Sequence, residues 1–98
     1  MDEFAVKVTA KGADGSLAPF HIYVGTPEAV DDIVSGCLTW CSLLEKPHLV
    51  KGETLAQAYS LAYRFIAQMV EYAGLTLFDR DGAPFQLPRP PDGFEDEI

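Results

Sequence analysis

Two cysteines, Cys37 and Cys41, and two histidines, His21 and His48, are the only thiols and imidazoles of the chain. Together they could make a zinc site, and the thiols alone could make a disulfide or a redox pair. Spacing decides. The run Cys37-Leu38-Thr39-Trp40-Cys41 reads as a strand, so both cysteines share one face, but four residues at about 3.3 Å each set their Cα atoms roughly 13 Å apart. A disulfide needs Cα atoms within about 7 Å, and two thiolates could not share one zinc at about 2.3 Å each across that gap. Neither the C-x-x-C nor the H-x-x-x-H spacing of a structural zinc site is present. The expectation is two reduced cysteines packed as small apolar residues, two surface histidines, no metal and no cofactor. A helix over 37–44 would bring the thiols together, and Trp40 and Thr39 argue against one.

Other constellations are weaker. Ser16, Ser35, Ser42 and Ser60 are the serines, and none stands in a G-x-S-x-G elbow. Asp31 and Asp32 are adjacent and so point apart. Asp79-Arg80-Asp81-Gly82 is similar to the opening of a calcium loop, yet position twelve of that loop would be Pro90 where a glutamate is needed. A turn is the simpler reading. Gly12 and Gly15 lack the spacing and the following helix of a phosphate loop. No catalytic residue is assigned, and the chain is read as not an enzyme; a dispersed active site would leave no such mark.

The chain has 98 residues, 48% hydrophobic and 22% charged, which suits one globular domain burying roughly two-thirds of its unfolded surface. Its net charge is -8, of which residues 89–98 carry -3 through Arg89 against Asp92, Glu95, Asp96 and Glu97. An acidic body with scattered cations argues against nucleic acid as a partner, while mimicry of nucleic acid by an acidic surface stays open. Met1-Asp2-Glu3 is acidic where a secretory leader is basic, and no apolar run approaches the 18 or so residues of a membrane span. The expected address is the cytoplasm, with no membrane partner.

The elements that would position these residues follow from periodicity. Residues 4–10 and 18–24 alternate, with Phe4, Val6, Val8, Phe20, Ile22 and Val24 on one face and Lys7, Thr9, His21 and Tyr23 on the other; they read as a hairpin around Gly12 and Gly15. Thr26-Pro27-Glu28 is a helix-start signature, which favours a short helix from 27 to about 34. The alternative is an extended excursion in which Ile33 and Val34 already belong to the next strand, 37–44. Residues 45–52 read as a loop. A long helix follows from Thr54 to about Ala73, with Thr54 and Gln57 spaced as a capping box, Gly52 as the alternative cap, and Gly74 past the end. A terminal hairpin of 75–78 and 83–87 turns at Asp81-Gly82, and Pro84 makes its last strand an edge.

Placed at about 100° per residue, the long helix has a polar stripe of Glu53, Gln57, Ser60, Arg64, Gln68 and Glu71. Its apolar arc is wider than one sheet face needs, because Leu61, Phe65 and Tyr72 lie beside the core stripe. The predicted fold is α+β: a mostly antiparallel sheet of four to five strands with one long helix on one face, in the order β-β-short α-β-α-β-β. The predicted domain spans 1–88, and 89–98 is expected to be a disordered, acidic, proline-rich tail.

Trp40-Cys41, followed by Gly52 and by Gln57-Ala58 within G-E-T-L-A-Q-A-Y-S-L-A (52–62), resembles small bacterial domains of unknown function. The likeness spans about residues 17–78, and Glu53-Thr54 stands where those domains usually have an aspartate-serine pair. It implies a bacterial origin and a sheet-plus-helix architecture; some such domains resemble immunity proteins encoded beside toxins.

These features point to a small non-enzymatic binding module. Trp40, Leu61, Tyr63, Phe65 and Tyr72 are the candidate interface residues, since aromatic side chains with few charges are what interface cores favour. The partner would be another protein or a second copy of the chain. The competing explanation for the wide arc is that the terminal hairpin or the 25–35 segment covers it. The alternative function is an immunity or inhibitor protein that neutralises a basic toxin or nuclease through its acidic surface.

Overall fold

Alternating side chains in the first two apolar runs build a hairpin. Strands β1 (Phe4–Lys11) and β2 (Leu17–Val24) pair antiparallel from Phe4 opposite Val24 to Lys11 opposite Leu17. Its turn is held by the Gly12 N–H donating to the Ser16 carbonyl at 2.9 Å and by Asp14, whose carboxylate accepts from the Ser16 hydroxyl and N–H. Those bonds hold the Asp14 carboxyl below its usual range. The computed structural model describes residues 2–87; the expected boundary at 88 and tail over 89–98 lie outside them.

The short helix expected over 27–34 does not form. Instead β3 (Glu28–Ala29) pairs with Gly36 and Ser35 of β4 (Ser35–Cys41), while β2 pairs with the same strand further along, Val24 opposite Thr39. The two pairings are offset by one residue, so 25–27 is a bulge in one bent ladder. Pro27, with no N–H to donate, fits such a break. The bend at 30–34 is closed by the Val30 N–H on the Val34 carbonyl at 2.8 Å, and the Asp31 carboxylate accepts from the N–H groups of Ile33 and Val34. Thr26-Pro27-Glu28 is a sound local helix start, but a helix this short is marginal by itself, and pairing with β4 wins.

A second departure follows. The expected loop 45–52 ends in β5 (His48–Gly52), which pairs with β4 from Ser35 opposite Gly52 to Thr39 opposite His48. Gly36 therefore has Glu28 on one side and Lys51 on the other, so β4 is bonded along both edges.

Helix α1 (Leu55–Tyr72) begins as its capping signal says, with Thr54 as N-cap accepting from the Gln57 N–H at 3.0 Å. The Gln57 side chain reaches back to the Glu53 N–H. At the other end Gly74 (φ 69°) lets the Leu75 N–H reach the Val70 carbonyl and its own N–H reach that of Glu71, a Schellman stop. Strand β6 (Thr76–Phe78) then returns beside β1, Thr9 opposite Phe78. The expected final strand 83–87 shrinks to a single bridge between Phe78 and Pro84, because Asp79 winds 79–83 into a turn by accepting from the N–H groups of Asp81 and Ala83.

The result is α+β, an open antiparallel sheet in the order β3-β4-β2-β1-β6, with β5 also on β4, and α1 packed on one face. Observed element order is β-β-β-β-β-α-β. The core lies between α1 and the inward residues Val8, Phe20, Ile22, Val24, Cys37 and Cys41. Ile66 is fully buried there, worth about 1.5–3 kcal/mol of transfer free energy. Ser60, assigned to the polar stripe from sequence, is also fully buried, and its hydroxyl has no hydrogen-bond partner among the described residues.

Gly52 marks the closest approach of helix and sheet: a Cβ there would lie 2.7 Å from the Ala58 backbone nitrogen. Gly52→Ala should cost about 1–3 kcal/mol in urea unfolding. Gly36→Ala, which meets only the ends of the Leu49 and Val30 side chains, should stay within about 1 kcal/mol of the parent. Ser60→Ala, which removes an unsatisfied buried hydroxyl, should be neutral or stabilising by up to about 1 kcal/mol in the same measurement.

Candidate functional site: the open face of the sheet

Among the described residues, one helix packs on one face and no element covers the other, and the strand alternation decides what stands on it. From β2 it receives His21 and Tyr23; from β4, Gly36, Leu38 and Trp40; from β5, Leu49 and Lys51; from β1, Ala5, Lys7 and Thr9. The solvated face of an antiparallel sheet is normally polar. Here β4 turns its small residues inward and its large apolar ones outward.

Val30 and Leu49 lean over Gly36 from either side: a Cβ on Gly36 would lie 2.9 Å from a methyl of each. Val30, Leu38 and Leu49 are 51%, 44% and 42% exposed. Tyr23 folds over Gly25 in the bulge, where a Cβ would meet its hydroxyl oxygen at 3.2 Å. The two glycines thus form the floor of a depression of about 530 Å³, whose lip carries Glu3 and Glu28. Tyr23 also borders a second depression of about 340 Å³ with Lys7, His21 and Trp40. Beyond it Lys7 and Arg80 line a third, of about 400 Å³. Glu3 and Glu28 stand at the β3 end of the face, while Lys7 and Arg80 share the β6 end with Asp79.

Trp40 is fixed on this face. Its indole N–H donates to the Leu44 carbonyl at 3.1 Å, the 41–44 turn is closed by the Leu44 N–H on the Cys41 carbonyl, and its ring centroid lies 6.4 Å from that of His21. His21 is anchored in turn by Ser42, whose hydroxyl accepts from the His21 N–H at 2.8 Å.

The cysteines occupy the opposite, helix-covered side. Both are free and fully buried. The Cys37 thiol donates to the Gly25 carbonyl at 3.1 Å and the Thr39 hydroxyl to the Tyr23 carbonyl at 2.9 Å. Burial pushes the Cys37 thiol up to about 11; it pushes Cys41 up as well, against the backbone N–H groups of Leu43 and Leu44. These are thiols held protonated, the reverse of an activated nucleophile. His48 stacks on Phe65 at 4.9 Å, while His21 is on the other side of the sheet. Among the described residues no group of three or more His, Cys, Asp and Glu side chains is placed to hold a metal ion. No helix among them is long and apolar enough to cross a membrane.

The five candidate interface residues are not brought to one surface. Trp40 is half-buried on the open face. Tyr63 is buried in the core, its ring 5.7 Å from Phe4. The Tyr59 hydroxyl donates to the Asp2 carbonyl at 2.8 Å, which leaves its oxygen to accept from Tyr63 at 3.0 Å; burial first, then this neighbour, raises the Tyr63 phenol well above its ordinary value. Leu61 and Phe65 are half-buried on the helix, and Tyr72 near its end is 92% exposed. The residues sequence reasoning did not single out are Tyr23, Val30, Leu38 and Leu49. The signal for Leu38 was present: a strand with Cys, Thr and Cys on one face must show Leu38 beside Trp40 on the other. Val30 and Leu49 were hidden by the helix and loop expected around them.

Comparison with known proteins found no family model that matches the chain, no matching curated protein and no matching solved structure.

A thiol reagent at pH 8 should label neither cysteine in the native protein and both after unfolding. The pH dependence has a definite sign. Cys37 goes from about 11 when folded to an ordinary 9.0, so unfolding favours its thiolate: stability should hold below pH 9 and fall as pH rises toward 11, with Cys41 and Tyr63 acting in the same direction. Rapid native labelling, or stability rising over that window, would contradict this arrangement.

Proposed function

We propose that this is a small, cytoplasmic, non-enzymatic binding module that takes a protein partner on the open face of its sheet. The observation that carries it is the set of exposed Val30, Leu38 and Leu49 side chains over Gly36, continuous with half-buried Tyr23 and Trp40. Contiguous apolar surface rimmed by polar groups is the mark of an interaction site, and Tyr and Trp are the residues on which binding energy concentrates. A net charge of -8 argues against nucleic acid and against a close pair of identical chains, because like charges oppose both. An immunity or inhibitor role against a basic toxin or nuclease uses the same face, and Glu3 and Glu28 on its lip favour it.

The test is co-purification from the native host with three tagged chains. The parent and Tyr72→Ser should retain the same stoichiometric partner, while the Leu38→Asn/Leu49→Asn double variant, checked for folding by circular dichroism, should lose at least nine-tenths of it. If Tyr72→Ser abolishes recovery and the double variant does not, the helix flank is the interface and the open-face assignment fails. A doubled mass in light scattering that the double variant abolishes would make the partner a second copy of this chain.

A further inference from the structure

The proposed docking face carries enough detail to define what it takes. We infer that the depression over Gly25 and Gly36 receives an extended basic segment of the partner protein, one apolar side chain seated among Val30, Leu38 and Leu49 and flanking lysines or arginines over Glu3 and Glu28.

Three observations on the page converge on that occupant. First, Gly25 and Gly36 add no side chain to the depression, so its walls are the Tyr23 ring and the Val30–Leu49 pair that pack over them. Second, the apolar part is small, three aliphatic side chains in a depression of about 530 Å³, which suits one or two inserted side chains. Third, the charge on the lip is of one sign. Among the described residues Glu3 and Glu28 are its only ionisable side chains apart from the Tyr23 phenol, and the adjoining bend adds exposed Asp32 and Asp31, the latter already accepting two backbone N–H groups. Lys51 stands opposite Gly36 on β5 but does not line the depression. A basic segment gains from these local carboxylates and from the -8 charge of the whole chain, which raises its rate of encounter. An acidic segment would be repelled by both.

This inference rests on the open-face assignment, and its test separates the two. The full ¹⁵N-labelled chain is titrated with a nine-residue peptide alternating lysine and valine, and with its counterpart alternating glutamate and valine, both followed by amide chemical shifts. The lysine peptide should shift residues 23–38 and 49, and its affinity should fall about five- to tenfold in the Glu3→Gln/Glu28→Gln variant. A Glu53→Gln/Glu71→Gln variant, with the same net charge change at the two ends of the helix, should bind within about twofold of the parent. Equal weakening in both variants would reduce the effect to net-charge attraction and overturn the inference. Binding of the glutamate peptide at the same residues, with none by the lysine peptide, would overturn the partner's chemistry and leave the face standing. Shifts confined to the helix flank around Leu61, Phe65 and Tyr72 would overturn both.

Discussion

Small residues let the long helix approach the sheet, and the rest of the molecule is arranged around that contact. Gly52 brings the end of β5 against the Ala58 backbone, and Ala58 and Ala62 continue the close approach one turn on. Seated this way, α1 packs chiefly on β4 and β5, so the inward face of β4 is wholly buried. That explains why Cys37, Thr39 and Cys41 are small, and two of the three, Cys37 and Thr39, donate to carbonyls of the neighbouring ladder. Because β4 is bonded on both edges as well, it is the fixed centre of the sheet. Its outward residues, Gly36, Leu38 and Trp40, are held on a rigid base, and a rigid base is what a binding surface needs to avoid ordering costs on association.

Among the described residues only one layer covers this sheet, and the consequence is asymmetric chemistry on its two sides. On the helix side, the two thiols and the Tyr63 phenol are shut away from water and held neutral. On the open side stand the exposed aliphatic groups, the indole, an imidazole and the charges. The cysteine pair, the chemistry most visible in the sequence, therefore belongs to the core. The proposed docking role takes up the open side, where apolar side chains stand beside charged ones.

Much of this was legible in the residues. Alternation placed β1 and β2, and the capping signals of Thr54, Gln57 and Gly74 placed the helix to within a residue, because both are local rules that the tertiary structure obeys. The strand expected over 37–44 ends at Cys41, before the 41–44 turn, yet it spans both cysteines and keeps them as free thiols on one face. The losses share one cause: pairing with β4 overrides local preference on both of its edges. Thr26-Pro27-Glu28 encodes a helix start that the ladder at Glu28–Ala29 overrules, and His48–Gly52, with Val50 as its one apolar inward residue, carries too little pattern to be seen as a strand. Val30 and Leu49 were lost from the binding face with those two elements. Ser60 failed differently: helical periodicity places a residue on an angle but does not say which neighbours cover it. The five candidate interface residues do not share one surface, because Tyr63 of the wide apolar arc is spent on the core and Trp40 stands across the sheet.

One face of the sheet is sealed by the helix, and the other stands open with Val30, Leu38 and Leu49 exposed on it. Paramagnetic relaxation of methyl signals by a neutral, water-soluble gadolinium chelate tests it most directly. The methyls of Val30, Leu38 and Leu49 should broaden strongly while those of Ile22, Val24 and Ile66 stay sharp; equal protection of both sets in the monomer would contradict the account.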